Sequence, residues 1–232
     1  MSDIKDINSF LDHLSGVFPQ GSYEINPWSW LAAITFSVLN RQEVVPVIFQ
    51  YALNKLSTHE DKLLLARKFR ESILSSVVSG IPQVINSLSL LNDVMPEELK
   101  EKSTLRRNDI PLSELLQIGR TYFNRMYGST AESISGKLRN AYPDLETIIY
   151  GYYANIPINI PILNMNETSY ALIASLTAIQ VPLQVGWHLN NALRNGAPTE
   201  EVKAAREIAL KVAEFCSVDR TIGLPDVNVP DK

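Results

Sequence analysis

Residues 166–218 read NETSYALIASLTAIQVPLQVGWHLNNALRNGAPTEEVKAAREIALKVAEFCSV, and this stretch decides the fold class. Apolar residues recur at i, i+3, i+4 and i+7, the spacing of a helix face, and alternation with period two is rare. Asn166-Glu167 supplies a cap residue and an acidic first turn, and Pro198-Thr199-Glu200-Glu201 supplies a second start. Val181-Pro182 interrupts the first apolar run, because proline cannot continue a helix but fits its first turn. Gly196 marks a stop. The pattern predicts helices over 167–181, 183–195 and 198–216.

The same signals run outward along the chain. They predict further helices over 3–15, 27–40, 42–56, 58–79, 82–93, 112–127, 130–140 and 143–153. The expected class is all-α. Residues 97–111, EELKEKSTLRRNDIP, read as a polar surface connection. Residues 154–166, ANIPINIPILNMN, carry prolines at 157 and 161 and read as an extended apolar linker. A weak repeat relates Ile73–Leu88 to Ile173–His188: both are charge-free, and both break at a β-branched residue before proline. The expected organisation is a single helical domain over 1–232, with related halves near 27–95 and 112–218 and a tail over 219–232.

Ser72–Asn92, Thr147–Asn166 and Thr168–Leu193 lack formal charge. A helix without a charged face has to be covered. Membrane burial is disfavoured by the interspersed Ser, Asn, Gln and Pro and by a mean hydropathy of −0.03. A central buried helix or a subunit interface remains, so a homo-oligomer is expected.

Of the 232 residues, 45% are hydrophobic and 20% charged, the balance of a folded chain. The net charge of −4, with no basic stripe, argues against a nucleic-acid partner. The densest basic stretch, Lys62–Arg70, reads as a solvated helix face. The lone Cys216 excludes internal disulfides, CxxC pairs and cysteine-cluster zinc sites, and reads as a small buried hydrophobe. The N-terminal MSDIKDINSF lacks an apolar signal core, and NVPDK carries no receptor-read address. An intracellular, cytoplasmic location is the default expectation, with peroxisome and mitochondrion left open.

The stretch 166–218 resembles the carboxymuconolactone decarboxylase family, which shares the alkylhydroperoxidase D-like helical fold. The resemblance rests on an apolar helix, a short break, His188, the small Ala192, Gly196 eight residues after the histidine, and the Glu200-Glu201 helix start. Arg70–Asp93 and Ser29–Leu53 are similar to the matching regions of fungal-type relatives. The resemblance implies an alkylhydroperoxidase D-like arrangement of two related helical hairpins.

Departures from the family pattern remove one activity. Peroxidase members use CxxCxxxH, and here the two cysteine positions fall on Val181 and Gln184. Thiol peroxidase chemistry is therefore excluded, since neither side chain can attack peroxide. The family's upstream glutamate would fall at 169–171, occupied by Ser169, Tyr170 and Ala171. Glu167 lies close by but reads as a carboxylate favoured at a helix start.

His188 is the candidate catalytic residue, because an imidazole can move protons near neutral pH. Trp187, Gln184, Tyr170 and Arg194 are candidate ligand-binding residues beside it. Arg139 is a further carboxylate-binding candidate, and Trp28, Trp30 and Tyr152-Tyr153 are candidate pocket aromatics. His13 and His59 read as surface residues. No metal site and no cofactor are implied, for the three histidines are far apart and no phosphate loop or nucleophile elbow occurs. The expected function is binding of a small carboxylate or lactone metabolite beside His188, with decarboxylase- or lactone-type acid–base chemistry. The alternative is a non-catalytic homo-oligomeric scaffold or interaction protein.

Overall fold

The computed structural model of the chain describes residues 7–21, 23–107, 109–155, 162–219 and 223–227. Among these the regular structure is helical and no strand occurs. The order is α1 (Ile7–Ser15), α2 (Trp28–Val38), α3 (Val45–Leu53), α4 (His59–Ser75), α5 (Ile81–Val94), α6 (Leu112–Tyr127), α7 (Ala131–Ala141), α8 (Pro143–Asn155), α9 (Met165–Ala178), α10 (Pro182–Arg194) and α11 (Thr199–Phe215). Short 3-10 turns lead into α3, α5 and α7 and follow α5.

The expected helices recur with shifts at their ends. The segment read as one helix over 58–79 ends as α at Ser75 and tightens into a 3-10 turn over Ser76–Ser79. Thr58 caps the start of α4, its hydroxyl accepting from the Asp61 amide at 3.1 Å. Between α9 and α10, Gln180 adopts a left-handed φ of 56°. There the Val181 amide donates to the Leu176 carbonyl at 3.3 Å, and Pro182 opens α10. Helix α8 runs to Asn155, two residues beyond the expected limit. Much of the expected linker (156–161) and part of the tail (220–222 and 228–232) lie outside the described residues, as do residues 3–6 of the first expected helix.

The chain forms two compact units: residues 1–100 with 166–232, and residues 101–165. This division cuts across the repeat halves read from the sequence, because α9–α11 join the same unit as α1–α5. In the first unit α2 is buried on every side and packs on α1, α3, α4, α5 and α11. Phe10 stacks on Phe215 with ring centroids 4.2 Å apart, and Phe49 meets Phe69 at 5.2 Å, tying α1 to α11 and α3 to α4. Every residue of α9 from Glu167 to Ala178 is buried.

In the second unit α6, α7 and α8 pack as a small bundle. Its core is aromatic: Phe123 touches Tyr127, Tyr150 and Tyr153, and the Tyr127 and Tyr153 hydroxyls meet at 3.0 Å. Gly119 lets α6 approach α8 closely, since a Cβ there would collide with the Tyr150 carbonyl.

Candidate functional site

The interior of the first unit contains charge that its sequence did not advertise. Lys68 of α4 and Glu167 of α9 form an ion pair, with Lys68 only 6% exposed and Glu167 2%. Two expectations are corrected here. Lys62–Arg70 is not a wholly solvated face: α4 turns Leu65, Ala66, Lys68, Phe69 and Glu71 inward. Glu167 does stand in the first turn of α9, but its carboxylate faces a buried ammonium, so it is more than a helix-dipole partner.

A second carboxylate belongs to the same region. Glu201, in the first turn of α11, is 3% exposed. Its Oε2 accepts from the hydroxyl of Tyr170 at 2.7 Å and from that of Tyr23 at 2.9 Å. Burial and the neighbouring carboxylate raise the pKa of both phenols, and Glu167 adds to the rise at Tyr23. Both tyrosines are therefore hydrogen-bond donors at neutral pH rather than bases. Phe18 closes the cluster, its ring centroid 6.1 Å from Tyr23 and 5.6 Å from Tyr170. Further along α9, the Ser175 hydroxyl bonds to that of Ser79.

His188 lies in the middle of α10 and is buried, 4% exposed. Burial lowers its pKa from 6.5 to about 4, because a desolvated imidazolium is disfavoured. At neutral pH the ring is the uncharged imidazole.

The other candidates divide. Tyr170 is buried in α9 with its hydroxyl committed to Glu201. Trp187 and Gln184 are half-buried on α10. Arg194 is exposed, and its guanidinium donates to the Asn191 side chain at 2.9 Å within the same helix. Arg139 belongs to the second unit, where it bridges Glu132 at 2.6 Å and Glu146 at 2.7 Å. Trp28 and Trp30 are core residues, and His13 and His59 are exposed. Cys216 is half-buried with a raised thiol pKa, mainly from burial, the opposite of a reactive thiolate. Among the described residues no cluster of His, Cys, Asp and Glu could hold a metal ion.

Lys68, Glu201 and Tyr23 are the residues that sequence reading missed. The weak available signal was Glu201, which the family resemblance already included as part of a helix start.

Two curated relatives match most of the chain. The protein called Peroxisomal protein 2 of Saccharomyces cerevisiae (strain ATCC 204508 / S288c) is 27% identical, over 86% of this chain and 92% of its own length. The protein of the same name from Schizosaccharomyces pombe (strain 972 / ATCC 24843) is 27% identical, over 81% of this chain and 86% of its own. No protein-family model matches the chain, and no solved structure does. No helix among the described residues is long and apolar enough to cross a membrane.

Proposed function

We propose that the chain is a carboxymuconolactone decarboxylase-like protein of alkylhydroperoxidase D-like fold. In this reading it binds a small carboxylate or lactone metabolite in the helical interior of the first unit and moves protons there without thiol chemistry. The observation that supports this reading is the buried set of Lys68, Glu167, Glu201, Tyr170 and Tyr23. An interior ion pair is a poor way to gain stability, since desolvation offsets its attraction. Titratable groups gathered in an interior are commoner where chemistry or binding uses them. The neutral imidazole of His188 would accept or return a proton. The two phenols would remain protonated and donate hydrogen bonds.

Thermal-shift measurement with small carboxylates, lactones and acyl thioesters, on the wild type, H188Q and E167Q, tests the proposal. A ligand at a hundred times its Kd adds about 2.7 kcal/mol of stability. The expected result is a stabilising ligand whose effect is lost in both variants. A stabilising ligand indifferent to both substitutions would move the site elsewhere.

The second reading is a homo-oligomeric scaffold without catalysis. It is favoured by the uncovered apolar face of α5, where Ile81 is 60% exposed and Ile85 58%. The names of the two relatives support a peroxisomal location. Microscopy of a tagged chain beside a peroxisomal marker tests it, with diffuse signal as the opposing result.

A further inference from the structure

Away from the buried centre, the outer face of α11 forms one wall of a cavity of about 800 Å³. Asp226 and Val227, after the helix, line it as well. This volume is within the range of small-molecule sites. Leu210, Val218 and Val227 supply apolar surface. Arg206 supplies the distinctive polar group. Its Nη2 lies 3.1 Å from the Asp226 carboxylate, which is itself 85% exposed. Its Nε is buried and has no hydrogen-bond acceptor among the described residues.

The other cations of this wall are otherwise engaged. Lys203 bonds Glu200 at 2.9 Å, and Lys211 lies 3.3 Å from Glu207. Arg206 alone offers an unfilled position in its guanidinium fork. A carboxylate satisfies such a fork through two parallel N–H donors, and Asp226 fills only part of it. Glu214 lines the same cavity. It stands eight residues along α11 from Arg206, about 12 Å at a rise of ~1.5 Å per residue. A second negative charge at that end would be repelled, whereas an apolar chain would not.

We propose that this cavity binds an amphipathic monocarboxylate, its carboxylate on Arg206 and its chain along Leu210, Val218 and Val227, with Asp226 as an internal competitor for the arginine. The described residues around Asp226, 223–227, then act as a strap. Pro225 lies against α10 at Gly186, where an added Cβ would be 3.6 Å from the proline ring, so the strap touches both α10 and α11. This site is separate from the acid–base centre proposed above and stands or falls independently of it.

Isothermal titration calorimetry of the full chain with octanoate tests the proposal, with suberate and octanol as comparison ligands. Octanoate is expected to bind one to one. Suberate and octanol are expected to bind at least tenfold more weakly, through repulsion by Glu214 and through loss of the carboxylate. D226N, which keeps the shape and removes the competing charge, should bind octanoate severalfold more tightly. R206Q should bind about tenfold more weakly, and R206K, which keeps the charge without the fork, should fall between. Unchanged circular dichroism and thermal melting in R206Q would show that the fold survives. H188Q should bind octanoate as the wild type does, which separates this site from the acid–base centre. Absence of octanoate binding in both the wild type and D226N would overturn the proposal. So would binding that is equal for octanol or indifferent to R206Q, for that would be apolar adsorption alone.

Discussion

Helices α5 and α9 look alike as sequence and differ as structure. Each carries a long charge-free run, and each lies beside a β-branched residue followed by proline: Ile81-Pro82 within α5, Val181-Pro182 just after α9. Yet α9 is enclosed on all sides, whereas α5 buries Val84, Ser87 and Leu91 and leaves Ile81, Ile85 and Leu90 uncovered. The difference teaches that lack of charge says only that a helix wants cover. Whether its own chain supplies that cover depends on which neighbours fold against it. The enclosed helix also carries a buried carboxylate, Glu167, whose ammonium partner comes from α4.

The largest expected effect is at that carboxylate. Replacing Glu167 by Leu takes from the buried Lys68 its carboxylate on α9 and should cost about 3–5 kcal/mol, as should K68M. The double variant, K68M with E167L, should recover most of the loss, because both members of the pair go together. Urea unfolding of the three proteins gives the coupling directly. Single losses under 1 kcal/mol would mean that α9 tolerates an open charge and that its enclosure is looser than described. Next in size comes the apolar contrast between the two helices. Leu172→Ala, in the middle of α9, should cost about 3 kcal/mol by leaving a cavity. Ile85→Ala on α5 should cost under about 0.5 kcal/mol in an isolated chain, because that side chain already meets solvent.

Most of the helical layout was legible in the sequence, because caps, prolines and apolar spacing are local signals. The ends of α4 and α9 moved by a few residues, where a 3-10 turn and a left-handed Gln180 close the last turn. The site was legible only in part. His188 was singled out through the family resemblance and Tyr170 as a polar group beside it, but the surroundings of neither were read. Lys68 lies among Lys62, Arg67 and Arg70, and nothing local says which side of α4 turns inward. Glu167 and Glu201 occupy first turns, where carboxylates are common for local reasons. Their burial is set by packing between segments far apart in the chain: Lys68 meets Glu167 across 99 residues, and Tyr23 meets Glu201 across 178.

A pH-dependent effect should come from His188 of α10, a side chain as buried as those of α9. Its folded pKa of about 4 lies below the value of about 6.5 expected when unfolded. The unfolded chain therefore binds a proton first as pH falls. Stability from this group is complete above pH 6.5, declines as pH falls toward 4, and is then lost by about 3 kcal/mol. The difference in unfolding free energy between wild type and H188Q, measured from pH 7 to pH 4.5, should shrink across this window. A constant difference would mean that the imidazole is solvated enough to charge normally, and that α10 is more open than α9.

The smallest effect on chain stability, and the sharpest on assembly, is expected at the uncovered helix. Ile81 and Ile85 stand four residues apart on one face of α5, and no formal charge intervenes between Glu71 and Asp93. If a second copy covers this face, then the double variant I81S and I85S should lower the mass seen by light scattering at micromolar concentration. Removing exposed apolar groups from one chain should leave monomer unfolding within about 0.5 kcal/mol of the parent. The same substitutions placed inward, at Val84 and Leu91, should instead lower stability by core loss whatever the assembly state. A wild-type chain that is already monomeric, with a melting temperature indifferent to concentration, would leave α5 as a tolerated apolar surface. The contrast with α9 would then be one between a helix the fold needs and a helix it merely carries.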